Sequence, residues 1–167
     1  LVTGGAGYVG AHICLALTRA GHSVTVYDDL SAGHALFVKW GPLEHGDVRD
    51  YSRLREVIGQ YKPDAVVHCA ASVEVGLSSA NPGLFYDNNA NGSLTLLRAM
   101  YEHGVRAFVL SSTCAVYGEP RTLPMNETHQ QAPINAYGWS KLMAERMSRD
   151  MAAAHGGTFA HLRYFNA

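Results

Sequence analysis

The chain is expected to fold as α/β, a doubly wound parallel sheet with helices on both faces. Three observations lead there. Apolar segments alternate between period 2 and period 3.6 along all 167 residues. A glycine-rich run, Thr3-Gly4-Gly5-Ala6-Gly7-Tyr8-Val9-Gly10, joins the first strand to the first helix. The length and a 47% hydrophobic, 16% charged composition suit one globular domain with a sizeable core.

The elements follow in order. Residues 1–3 read as the end of a strand. Residues 8–20 read as a helix with Val9, Ile13, Ala16, Leu17 and Ala20 on one face and Gly21 as its stop. SVTVY at 23–27 is a β-branched strand, and 43–45 is a short one. Residues 51–60 form a helix carrying Leu54, Val57 and Ile58. AVVHC at 65–69 is a buried strand. Residues 82–103 form one long helix, with Pro82 at its start and Gly104 after it. A strand at 107–111, a long helix at 136–155 closed by Gly156-Gly157, and a strand at 158–164 complete the series. The alternation argues for right-handed βαβ crossovers. The long loop at 117–135 holds Pro120, Pro124 and Pro133. The chain opens inside a strand without methionine and stops abruptly at Ala167, so residues 1–167 are expected to be one domain cut at both ends from a larger protein.

Thirteen basic and fourteen acidic residues give a net charge of −1. That balance leaves no basic footprint for nucleic acid and no polybasic membrane anchor. No apolar run approaches the ~18 residues of a membrane span. Cys14, Cys69 and Cys114 are odd in number and far apart, which indicates neither a disulfide framework nor a thiolate metal site. The histidines show no tight ligand spacing, so no metal is expected. With no signal peptide visible, a reducing, cytoplasmic setting fits.

The glycine run has the context that a dinucleotide site requires. Glycine permits the tight turn and lets the backbone approach a pyrophosphate, which the helix N-terminus then stabilises. Asp28 ends the next strand, where a carboxylate accepts hydrogen bonds from an adenosine ribose and repels a 2′-phosphate. NAD is therefore favoured over NADP. Farther along, Tyr137 and Lys141 stand four apart at the start of a helix, on one face. A phenol of pKa ~10 serves as a base at neutral pH only if its anion is stabilised, and a neighbouring ammonium together with a positive nicotinamide ring does that. Ser111-Ser112-Thr113 ends the preceding strand, where open sheets place their ligands, so the Thr113 hydroxyl is positioned to relay a proton to Tyr137.

TGGAGYVG, YDDLS, GDVRD, YDNNANG, SSTCAVYG, YGWSK and RYFN occur here in the order of the extended short-chain dehydrogenase/reductases. The chain resembles that superfamily throughout, and within it most nearly the UDP-glucose 4-epimerases, of which it matches the N-terminal half. The resemblance implies a Rossmann-type domain with tightly bound NAD. Gly4, Gly7 and Gly10 would form the phosphate turn, with Tyr8 and Val9 adding backbone N–H groups. Asp28, Asp29, Leu30, Ser31, Ala32 and Gly33 would border the adenosine ribose. Asp47 and Val48 would flank the adenine, and Cys69, Ala70, Ala71, Ser72 and Val73 would line the cofactor. Asn88 would tie the long helix to the site. Tyr137 would be the catalytic base, Lys141 its partner and Thr113 the hydroxyl beside the sugar. Phe165 would meet the nicotinamide and Asn166 the substrate phosphates. The activity implied is interconversion of UDP-glucose and UDP-galactose through a 4-keto sugar. The two long helices resemble those that pair in a homodimer, with Trp139 away from the Tyr137–Lys141 face.

Related 4,6-dehydratases carry an Asp-Glu pair after the threonine, whereas this chain has Cys114 and Ala115, which favours epimerisation. Val73 stands where some epimerases carry a lysine. Two other readings stay open: a relative in the same superfamily acting on a different nucleotide sugar, as a 4-epimerase of an N-acetylated or uronic sugar or as a dehydratase, decarboxylase or reductase, and a non-catalytic NAD-binding regulator.

Overall fold

The computed structural model describes residues 1–166. Its strands are β1 (Val2–Thr3), β2 (Val26–Asp28), β3 (Leu43–His45), β4 (Ala65–His68), β5 (Ala107–Thr113) and β6 (Thr158–Tyr164). Its helices are α1 (Tyr8–Arg19), α2 (Tyr51–Tyr61), α3 (Val75–Ala80), α4 (Pro82–Phe85), α5 (Gly92–Glu102) and α6 (Ala136–His155). The described strands form one sheet in the order β3-β2-β1-β4-β5-β6, and every neighbouring pair is parallel. The order reverses between β1 and β4, which makes the carboxyl ends of those strands the expected ligand crevice.

Period-2 alternation explains the two-sided core. Leu1, Val66, Phe108 and Leu110 belong to one buried cluster with Leu54, Ile58, Leu96, Leu97 and Ala144 from α2, α5 and α6. Their strand neighbours Val2 and Val67 belong to another with Cys14 and Leu17 of α1. Consecutive residues thus point to opposite faces, each covered by helix. The predicted doubly wound parallel sheet is the observed one.

Several boundaries differ from the sequence reading. In α1 the buried residues are Gly10, Ala11 and Cys14, while Ala16 and Ala20 of the predicted face are exposed. The helix packs by its smallest residues, because its first turn must lie against the glycine run. β2 begins three residues later than predicted, and β5 runs two residues farther, taking Ser112 and Thr113 into the strand. The single helix predicted over 82–103 is α4, a π-helical turn at Tyr86–Asn91 and α5. Helix α3 was not legible, since VGLSSA has no helical apolar period and no capping side chain.

Leu54 is fully buried between α2 and α5. Leu54→Ala leaves a cavity there and is expected to cost about 2–5 kcal/mol, read from the urea midpoint at unchanged slope.

Candidate active site at the carboxyl edge of the sheet

All the segments singled out in the sequence lie at one edge. The glycine turn follows β1, Asp28 ends β2, Asp47 stands two residues beyond β3, Cys69 follows β4, Thr113 ends β5, and Phe165 follows β6. The parallel register brings these ends together: Thr3 lies beside Tyr27 and His68, and Thr113 beside Tyr164.

The turn is made by close backbone approach. Gly4 has φ +71°, and a Cβ there would stand 2.4 Å from the Ala70 nitrogen. A Cβ on Gly10 would stand 2.1 Å from the Gly4 carbonyl oxygen. Neither position accepts a side chain, so α1 begins directly over the turn with its N-cap at Gly7. The Asp28 carboxylate, almost fully buried, accepts hydrogen bonds from the Ala6 N–H at 2.9 Å and the Leu30 N–H at 2.9 Å. It thereby locks the turn to the loop after β2. Leu30 takes φ +60° in that loop, the Asp29 carboxylate accepts from the Ser31 N–H at 2.9 Å, and the His34 N–H reaches the Ala6 carbonyl at 3.0 Å. Ser31 and Ala32 are exposed and Gly33 is half-buried.

Asp47 and Val48 have different surroundings. The Asp47 carboxylate accepts from the Arg49 backbone N–H at 2.8 Å and from its guanidinium, which holds it below the usual carboxylate range, and Arg49 also reaches Asp87. The Val48 side chain is buried in the core against α5. Among the cofactor candidates after β4, Val73 is 60% exposed, while Ala70, Ala71 and Ser72 are half-buried. Burial pushes the Cys69 thiol up to about 12, against a smaller opposing effect of Lys141. Phe165 and Asn166 are exposed.

Tyr137, Lys141 and Thr113 come together. Asn135 caps α6 by accepting from the Gly138 N–H at 2.8 Å. A Cβ on Gly138 would stand 2.6 Å from the Ala115 carbonyl, so this glycine lets α6 press against the turn that follows Thr113. The Lys141 ammonium is buried and donates to the Ser111 carbonyl at 2.8 Å. Burial lowers it to about 8, opposed by Cys69 and Glu145. Burial also raises the Tyr137 phenol above its ordinary value, the hydrogen bond with Thr113 opposes that, and Cys114 adds to it. The sequence reading had Lys141 lowering Tyr137. In the protein alone the Lys141 ammonium donates to the Ser111 carbonyl, and the Thr113 hydroxyl is the group that opposes the rise of the phenol.

Sequence reasoning named Asn88 as the tie between helix and site. Asn88 does reach the Ser72 hydroxyl at 3.2 Å. The stronger tie is its neighbour Asn89, fully buried in the π turn. Its side-chain oxygen accepts from the Ser72 N–H at 2.8 Å, and its amide donates to the Ser72 carbonyl and the Ser140 hydroxyl, both at 3.0 Å. Ser140 in turn donates to the Tyr137 carbonyl at 2.8 Å. A second missed residue is His68. The Ser93 hydroxyl donates to the Asn89 carbonyl, so it accepts at 2.9 Å from His68 Nε2–H; His68 Nδ1 is then the acceptor for the Thr3 hydroxyl at 2.6 Å. One chain of hydrogen bonds thus runs from the end of β1 to α6. Phe85 also stands edge-on to the Tyr137 ring at 6.4 Å. Among the described residues no group of three or more His, Cys, Asp or Glu could hold a metal ion, and no helix is long and apolar enough to cross a membrane.

A family model described as the NAD dependent epimerase/dehydratase family matches residues 1–167. The chain belongs to this family. It is 54% identical over its whole length to a UDP-glucose 4-epimerase of Rhizobium meliloti (strain 1021), of which it covers 51%. It superposes with TM-score 0.97 on a crystal structure of UDP-glucose 4-epimerase from Brucella ovis in complex with NAD, at 45% identity over 99% of this chain and 51% of that one. A UDP-glucose 4-epimerase from Bifidobacterium longum in complex with NAD+ and UDP matches at TM-score 0.94 and 35% identity, over 99% of this chain and 52% of that one. The chain spans about half the length of the curated relatives it matches.

Two outcomes check this geometry. Thr113→Val removes the bond that opposes the upward shift of Tyr137, so the phenol should titrate still higher. Ultraviolet difference titration against a Tyr137→Phe blank reads this. Burial, and then the Lys141 charge, lower His68 from 6.5 to about 3. The folded state keeps it neutral while the unfolded chain protonates near 6.5. Stability from this group is therefore complete above pH 6.5 and declines as pH falls toward 3, by about 1.4 kcal/mol per pH unit at most. Urea stability should fall less steeply below pH 6.5 in His68→Asn than in the unsubstituted protein.

Proposed function

We propose that this chain is the NAD-binding domain of a UDP-glucose 4-epimerase, interconverting UDP-glucose and UDP-galactose in galactose metabolism. The observation that carries the reading is the close packing of the first turn of α6, which bears Tyr137 and Lys141, against the end of β5, which bears Thr113, at the same edge as the glycine turn. The cradle fits the cofactor. Gly4 and Gly10 leave the turn bare of side chains, the start of α1 presents N–H groups to a pyrophosphate, and Asp28 offers a carboxylate to a ribose. Gly7, Tyr8 and Val9 belong to that first turn; residues 29–33, Asp47 and Val48 border the adenosine end, and residues 69–73 with Asn88 the middle. Bound NAD supplies the hydride acceptor and donor at sugar C4 and leaves the cycle unchanged.

The chain's own residues handle the proton. Tyr137 takes the proton of the sugar 4-OH and gives it back after the keto sugar has turned over. Thr113 holds the phenolic oxygen and the sugar hydroxyl in line. Lys141 supplies positive charge beneath the pair, anchored on Ser111. Phe165 and Asn166 extend the edge past β6 toward the nicotinamide and the substrate phosphates. Cys114 and Ala115 offer no acid for eliminating water, and Glu119 is exposed beyond the turn, which supports epimerisation over dehydration. An intact Thr113–Tyr137–Lys141 set also weighs against a purely regulatory NAD-binding protein.

The free cysteines suit a cytoplasmic setting. Trp139 and Met143 lie exposed on the outer side of α6 and suit a homodimer contact in the longer chain. Light scattering of that chain should give twice the protomer mass.

Followed by proton NMR without added cofactor, the natural-length protein should convert UDP-galactose to UDP-glucose. Tyr137→Phe should lower the rate by about 100-fold or more while keeping bound NAD. No conversion by a protein that holds NAD would overturn the substrate and keep the cofactor.

A further inference from the structure

Beneath the proposed catalytic pair lies a buried ionic cluster that the reading above does not use. Glu145 sits on α6, four residues after Lys141 and eight after Tyr137, and is 1% exposed. Its carboxylate accepts from the Ser112 hydroxyl at 2.6 Å and from Arg163 Nε at 2.9 Å and Nη2 at 2.6 Å. His161 Nδ1 stands 3.5 Å away, and its other ring nitrogen meets the Ser148 hydroxyl at 2.7 Å. Ser112 and Arg163 are register partners on β5 and β6. At the far end of its guanidinium, Arg163 donates to the Tyr117 hydroxyl at 2.8 Å, with its charge 5.0 Å from that ring's centre.

A buried carboxylate costs much desolvation unless it is fully paired. Burial alone would raise Glu145, but Arg163, His161 and Ser112 together hold it down at about 2. The pairing joins three elements at one point. Two consecutive strand residues are each held by one helix residue, Ser111 by Lys141 and Ser112 by Glu145, and the next strand residue, Thr113, lies beside Tyr137 of the same helix. The Ser112 contact is a hydrogen bond to a charged carboxylate, and it ties α6 to β5. Arg163 extends the same constraint to β6, two residues before Phe165, and to Tyr117 at the mouth of the 117–135 loop.

We infer that Glu145, clamped between Ser112 and Arg163, is a positioning residue that sets the alignment of Thr113 with Tyr137. The inference rests on the proposed role of that pair. Tyr137 does not titrate alone in the test: Cys114 after β5 acts on it directly, and Lys141 on the same helix face interacts with Cys69 after β4, His68 on β4 and Glu145 on α6. The variants must leave all but Glu145 in place.

The experiment uses the natural-length, NAD-loaded protein with two substitutions. Glu145→Gln keeps the shape but turns an amide N–H₂ toward Arg163. Ser112→Ala leaves the Glu145–Arg163 ion pair intact and removes only the tie to β5, so it remains informative if the first variant fails to fold. Two readouts are taken: kcat and KM for UDP-galactose, and the Tyr137 titration by ultraviolet difference against Tyr137→Phe. A misplacement near 1 Å costs up to about 100-fold. Ser112→Ala should lower kcat at least about tenfold with KM and bound NAD nearly unchanged, and the Tyr137 titration should move upward as the Thr113 bond is lost. An unchanged kcat and an unmoved Tyr137 titration in folded Ser112→Ala would overturn the inference, whatever the loss of stability. The titration needs no substrate. If the parent protein fails to turn over UDP-galactose, an upward shift still supports the positioning role while the substrate reading fails.

Discussion

One buried carboxylate determines the shape of the whole edge. Asp28 accepts from Ala6 in the glycine turn and from Leu30 in the loop after β2, so two segments that follow different strands share one anchor. Left unpaired, the carboxylate would carry a heavy desolvation cost, and the two N–H groups would be orphaned. The satisfied arrangement forces Leu30 into a left-handed conformation and draws the Asp29–Gly33 loop against the turn. The bare glycines make the approach possible, and the carboxylate holds it.

The rest of the site is a matter of relays. Thr3, His68, Ser93 and Asn89 link the end of β1 to the π turn, and Asn89 passes on to Ser72, Ser140 and the Tyr137 carbonyl. His68 sits in the middle of this chain as a neutral imidazole, held so by burial. The end of β1 and the start of α6, built on separate elements, are thereby tied together. On the other side of β5 the Ser112–Glu145–Arg163 cluster makes the matching connection to β6.

Much of this was legible in the residues. The alternation of Leu1-Val2 and Val66-Val67 between two cores reads directly as a sheet covered on both faces, and the glycine run with Asp28 reads as a cradle. Tyr137 and Lys141 share a helix face by spacing alone. What was hidden depends on long-range partners. Asn89 and Asn88 are adjacent asparagines, and only the π turn decides which is buried. Gly138 looks like an ordinary helix glycine until Ala115 is placed beside it. His68 gives no signal of its role in the sequence, because its partners are 65 and 25 residues away. Lys141 is legible as the partner of Tyr137 by spacing, whereas its anchor on the Ser111 carbonyl, 30 residues away, is not.

The most direct test of the account is the dinucleotide preference of the natural-length protein, stripped of cofactor and titrated by calorimetry with NAD and with NADP. Because the Asp28 carboxylate is buried and committed to both loops, it has no freedom to move from a 2′-phosphate. NAD should bind and NADP should bind at least about a hundredfold more weakly, a difference near 2.7 kcal/mol. Equal affinity for the two would contradict the claim that the Asp28 bridge shapes this edge.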